Sequence, residues 1–132
     1  MTLNIFCDGG CIVGKGIGAI SYVIVKDNVI VEMKSTLVNG LAITNNQCEY
    51  KAIIEALVDR KCDAIYSDSE IVIKQITGEY EVKDSRLKVL HGLVMDLVED
   101  SNILFFNVPR TNKYIQIADK LNKITMNEAK NV

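Results

Sequence analysis

This chain of 132 residues has no tryptophan, one proline (Pro109), one histidine (His91) and no Cys-x-x-Cys pair. Each shortage argues against a class of protein. A structural zinc site needs several thiolate or imidazole ligands at close spacing, and Cys7, Cys11, Cys48 and Cys62 with a lone histidine do not supply them. The cysteines read as small hydrophobes kept reduced, with Cys7 pointing to the strand face opposite Asp8. No apolar run approaches the roughly 18 residues of a membrane span, and no charged-then-apolar leader precedes the first strand-like segment. The expectation is a soluble, unexported, cytoplasmic protein without membrane association. Scarce proline, 48% hydrophobic and 24% charged residues describe a folded chain, not a disordered one. Its length suits a single domain over residues 1–132. The net charge of -2 provides no broad positive field. A nucleic-acid partner would therefore have to be held by a local basic patch or by bound metal.

What is present falls into short periodic segments. Residues 3–8 alternate as a strand, and Gly9-Gly10 with Gly14, Gly16 and Gly18 read as turn chemistry. Residues 17–25 and 29–37, separated by Asp27-Asn28, complete an antiparallel meander. Thr44-x-x-Gln47 is a capping box opening a helix to about Arg60. A short buried strand follows at 63–67, then helices at 69–77 and 85–99. Strand 102–108 is stopped by Pro109, and a closing helix spans 113–128. The order β-β-β-α-β-α-α-β-α predicts an α/β fold: a five-stranded mixed sheet, antiparallel first and parallel after, with helices on both faces.

Four acids do not fit that packing. Asp8 ends the apolar run Leu3-Asn4-Ile5-Phe6-Cys7, and Asp68 ends Ala64-Ile65-Tyr66-Ser67. Glu49 lies in line with Ala52, Ile53, Ala56 and Leu57 on one helix stripe, and Asp119 interrupts the apolar face of the last helix. Ligands of open α/β sheets gather outside the carboxyl ends of strands, where Asp8 and Asp68 are expected. Gathered carboxylates repel unless cations neutralise them or their pKa values rise. The pattern points to a metal-dependent active site.

The same residues occur in motifs that resemble the ribonuclease H family, in that family's order and across almost the whole chain. Phe6-Cys7-Asp8-Gly9-Gly10 is similar to its strand-end aspartate, Thr44-Asn45-Asn46-Gln47-Cys48-Glu49 to its helix start, and Ser67-Asp68-Ser69-Glu70 to its aspartate-serine pair. The segment 78–87, Val108-Pro109-Arg110 and Ala118-Asp119-Lys120-Leu121 continue the series. The resemblance implies a ribonuclease H-like fold and endonucleolytic hydrolysis of the RNA strand of an RNA–DNA hybrid, leaving 5′-phosphate and 3′-hydroxyl ends. It implies two Mg²⁺ ions, or Mn²⁺, about 3.5–4 Å apart. Asp8 would bridge both ions, Asp68 and Asp119 would hold the one on the nucleophile side, and Glu49 the other. Asn45, Asn46 and Gln75 would read the minor groove, Thr44 a DNA phosphate, and Gly9, Gly10 and Ser69 would approach the RNA strand. Arg110 is a candidate phosphate contact, with Lys83, Arg86 and Lys88.

The chain departs from the family pattern at three places. No histidine lies between Pro109 and Asp119, Ile115 stands where an asparagine is common, and the tryptophan-rich basic handle of larger members is missing. Other readings are a nuclease of the same fold acting on DNA junctions or strand ends, and a non-catalytic nucleic-acid-binding or interaction domain. The asparagines after Thr44 favour an RNA-containing groove, and the four retained acids favour catalysis. A monomer is expected, since nothing in the sequence suggests an interface.

Overall fold

Runs of apolar and β-branched residues set the opening strands, and only the third alternates in burial. A computed structural model describes residues 2–131 and opens with three antiparallel strands, β1 (Leu3–Ile12), β2 (Ile17–Lys26) and β3 (Val29–Asn39). Helix α1 (Asn45–Asp59) and strand β4 (Ala64–Ser67) follow, then helices α2 (Glu70–Ile76) and α3 (Ser85–Val98), strand β5 (Leu104–Asn107) and helix α4 (Lys113–Lys130). The sheet order is β3-β2-β1-β4-β5, with β4 parallel to both β1 and β5. This is the expected mixed sheet. Among the described residues, no helix is long and apolar enough to cross a membrane.

Each sheet face buries its own core. Ile5, Cys7, Ile20, Tyr22 and Ile24 point toward α1, α2 and α3, where they meet Tyr50, Ile53, Val72 and Val94. Phe6, Val23 and Val25 point the other way, against Ile115 and Ala118 of α4. β2 is therefore covered on both faces, and residues 18–25 are buried without interruption. Ser21 also ties α4 down, its hydroxyl donating to the Ala118 carbonyl at 2.7 Å. Cys7 faces away from Asp8 as expected.

Local chemistry sets the helix starts. The Gln47 N–H donates to Thr44 Oγ1 at 3.2 Å, and Gln47 Oε1 accepts from the Thr44 N–H at 2.8 Å, a complete capping box. Ser69 caps α2, Asp84 caps α3 and Asn112 caps α4. Between β2 and β3, Asp27 and Asn28 both take positive φ, which suits a tight hairpin turn.

The Gly9-Gly10 turn is a correction. β1 runs straight through both glycines, which pair with Ile20 and Ala19, and the chain reverses only after Ile12. Gly14 and Gly16, at φ of 80° and 67°, make that reversal. The reason for Gly9 is close approach: a Cβ there would run into the Cys48 carbonyl and lie 2.8 Å from Glu49 N. Its missing side chain seats the first turn of α1 directly on β1.

Gly9→Ala should therefore destabilise the protein by about 1–3 kcal/mol, the usual cost of overpacking. Gly14→Ala is also strained at its positive φ but meets no neighbour within 4 Å. Urea unfolding should rank Gly9→Ala as the more damaging; a Gly9→Ala midpoint equal to that of the parent would refute the close-approach account.

Candidate active site

Pairing between β1 and β4 stops at Cys7–Ser67, so Asp8 and Asp68 are the next residue on each strand. From there β1 continues beside β2, while β4 leaves the sheet and leads into α2. Asp8 is thus at the end of the parallel pairing but in the interior of its strand. The divergence opens a cleft of about 500 Å³. Asp8, Glu49, Asp68 and Asp119 all line it, with Gly9, Gly10, Asn45, Asn46, Ser69 and Arg110.

Three of the acids form a tight group. One carboxylate oxygen each from Asp8, Glu49 and Asp68 lie within 4.8 Å of one another. Glu49 reaches in from α1, and its Oε1 accepts from the Gly9 N–H at 2.7 Å. Asp8 is 7% exposed, and Asn122 Nδ2 donates to its Oδ2 at 3.2 Å. Asp119 is set apart. Its side chain is 47% exposed and pairs with Lys123, one helical turn later, at 2.8 Å.

The electrostatics follow from this crowding. Burial, then the charges of Asp68 and Asp119, raise the Asp8 pKa from an ordinary 3.8 to about 7; the Asn122 amide opposes the rise. Burial, then Asp8 and Asp68, push Glu49 well above the usual carboxylate range, with the Gly9 N–H opposing. The nearest cationic partner of the group is Arg110, whose Nε lies 3.6 Å from Asp68 Oδ2 on a side chain that is 92% exposed. So solvated a guanidinium neutralises little. Oxygen-only donors at this separation, with the Asp8 and Glu49 pKa values raised by burial and neighbouring charge, fit a hard divalent cation. Asp8, Glu49 and Asp68 could hold it, and Asp119 faces the same cleft.

The other sequence-derived positions divide. Asn45 Oδ1 accepts from the Cys11 N–H at 2.9 Å, fixing the start of α1 to β1. The hydroxyls of Thr44 and Ser69 both serve as helix caps, though Ser69 also borders the cleft. Gln75 is not brought to the cleft. Its side chain is buried, Tyr50 Oη donates to its Oε1 at 2.7 Å, and it borders a separate groove beside Tyr80 and His91. Its position on α2 faces the core, so its amide satisfies a buried tyrosine. His91 is half-buried, with Nε2 3.1 Å from the Gln75 carbonyl oxygen.

Ile115, the departure from the family pattern, is fully buried against Phe6 and Val23, so it acts as a core residue of α4. Four residues that line the cleft are absent from the sequence-derived set, Cys11, Asn122, Lys123 and Met126, and of these Asn122 and Lys123 contact its acids. The signal for Asn122 was available, since it falls three and seven residues along the stripe from Asp119 and Ile115, where an apolar residue is the norm.

Comparison with known proteins agrees with this geometry. A family model described as RNase H matches residues 1–125. LC11-RNase H1, isolated from compost by a metagenomic approach, superposes with a TM-score of 0.84 at 26% identity, covering 97% of each chain. LC11-RNase H1 in complex with RNA/DNA hybrid gives 0.84 at 26% identity, over 96% of this chain and 98% of that one. RNase H1 from the halophilic archaeon Halobacterium salinarum NRC-1 gives 0.84 at 28% identity, with the same coverage.

A raised carboxyl pKa makes the metal-free protein pH-sensitive. The folded state holds the Asp8 proton that the unfolded chain releases near pH 4, so this contribution is fully present below about pH 4. It is lost as pH rises through about 7. Asp8→Asn should flatten the decline and stabilise the metal-free protein at pH 8, by up to about 4 kcal/mol for a shift of this size. Parallel melting-temperature profiles for parent and variant between pH 4 and 8 would contradict the assignment.

Proposed function

Because this chain belongs to the ribonuclease H family, as the match over residues 1–125 shows, we propose that it is an endonuclease hydrolysing the RNA strand of RNA–DNA hybrids with divalent metal. The observation that carries this reading is the cluster of Asp8, Glu49 and Asp68 at the end of β4, in an open cleft bordered by Asn45, Asn46 and Ser69. A hybrid-bound relative with near-complete coverage supports the choice of substrate.

Asp8, Glu49, Asp68 and Asp119 are the proposed ligands for two Mg²⁺ or Mn²⁺ ions. Such ions, when bound, lower the pKa of an attacking water and stabilise charge on the leaving 3′ oxygen. The chain's own residues provide the frame. Asp8 lies on β1 and Asp68 directly follows the parallel strand β4, so backbone pairing up to the residue before each sets their separation. The Gly9 N–H holds Glu49 in the same group. Asn45 and Asn46 present amides at the cleft border, where they suit 2′-hydroxyls and base edges of a shallow groove. Arg110, exposed at the cleft border beside Asp68, suits a phosphate. Lys123 pairs with Asp119 and would be released when a cation takes that carboxylate. Every proposed ligand comes from one chain, so the site asks for no second copy.

Expected products are 5′-phosphate and 3′-hydroxyl ends. The test is cleavage of labelled RNA–DNA hybrid, double-stranded RNA and a four-way DNA junction, each with Mg²⁺, Mn²⁺ or EDTA. Cleavage confined to hybrid RNA, abolished by EDTA and reduced at least 100-fold in Asp68→Asn, is expected. Inertness on hybrid with both metals would refute it, and junction cleavage would favour a different nuclease on this fold.

A further inference from the structure

Asn122 occupies a position that packing would assign to an apolar side chain. It lies on the α4 stripe with Ile115 and Ala118, both fully buried, and is itself 2% exposed. Its two polar atoms fare differently. Nδ2 donates to Asp8 Oδ2 at 3.2 Å. Oδ1 has no hydrogen-bond partner, and it is the one buried side-chain polar atom among the described residues in that condition. Leaving a buried acceptor unpaired typically costs about 1–3 kcal/mol, whereas an apolar residue of similar shape would carry no such cost. The Nδ2 bond to the Asp8 carboxylate offsets a cost of that size without a clear surplus, so stability gives the asparagine little advantage over an apolar residue.

The amide's effect on Asp8 does give one. A donor aimed at one carboxylate oxygen favours the ionised form, and it restrains the rotation of the group. The opposite amide orientation would set two oxygens against each other, so the bond to Asp8 selects the orientation that strands Oδ1. The amide belongs to the same helical turn as Lys123, which holds Asp119. Consecutive residues of α4 thus grip two different acids of the cleft.

We propose that Asn122 is a positioning residue for cation binding: its Nδ2–H bond to Asp8 Oδ2, made at the expense of a buried unpaired Oδ1, orients the Asp8 carboxylate toward the metal. This rests on the reading of Asp8 as a metal ligand. Asn122 acts through Asp8, the carboxylate its amide holds. Groups that orient ligands in this way usually account for 10- to 100-fold in metal affinity.

Mn²⁺ titration calorimetry of metal-stripped protein tests it, with melting temperature of the same stripped samples as the second readout. Asn122→Leu should bind Mn²⁺ about 10- to 100-fold more weakly than the parent, while melting close to the parent because the lost bond and the removed unpaired oxygen offset each other. If the leucine variant does not fold, Asn122→Ala supplies the same two readouts. Mn²⁺ affinity within twofold of the parent in a folded variant would overturn the proposal and leave the metal reading intact. A loss of affinity that merely tracks a fall in melting temperature across both variants would overturn it too. A parent protein that takes up no Mn²⁺ would remove the metal reading, and this inference with it.

Discussion

Repulsion among carboxylates at the open end of the sheet is the constraint around which the rest of this molecule is arranged. Asp8, Glu49 and Asp68 are held with oxygens inside 4.8 Å, close enough that burial and mutual charge raise the pKa of Asp8 and Glu49. Left to themselves such side chains would swing apart or take up protons. Each instead starts from backbone that cannot yield: Asp8 from a strand paired on both sides, Asp68 from the end of a buried strand, and Glu49 from the first turns of a doubly capped helix. Two polar groups then oppose the rise in pKa, the Gly9 N–H on Glu49 and the Asn122 amide on Asp8.

Stability must come from elsewhere, and the two cores provide it. The larger lies between the sheet and α1–α3, the smaller between the sheet and α4. The helices that build those cores also carry the site. α1 brings Glu49 on the same face that buries Ala52 and Ile53, and α4 brings Asp119 and Asn122 alongside Ile115 and Ala118. Packing and function are coupled through glycine as well. Without side chains at Gly9 and Gly18, α1 approaches the sheet so closely that a Cβ at Gly18 would stand 3.0 Å from Cys48 Sγ.

Much of this could be read along the chain. The meander, the capping box at Thr44 and the apolar stripe containing Glu49 all announced themselves through periodicity and short-range chemistry, which depend on neighbours in sequence. Asp8 and Asp68 stood out because each follows an apolar run. The misreadings share a cause. Gly9-Gly10 looks like a turn in isolation, but the missing side chain of Gly9 makes room for a helix that begins about 36 residues later. Gln75 looks like an available polar group, yet its amide satisfies Tyr50, a contact across 25 residues. Asn122 breaks an apolar stripe in plain view, but what its amide serves depends on Asp8, 114 residues away.

The sequence by itself determined the elements, their order and which carboxylates conflict with burial, because hydrophobic period and capping are local properties. Tertiary structure decided what those carboxylates face. It gathered three of them where β4 leaves β1, left Asp119 half-exposed on its lysine, and set one asparagine amide against Asp8. Those outcomes depend on strand register and on how closely helices seat against glycine. Both are settled only when distant segments pack.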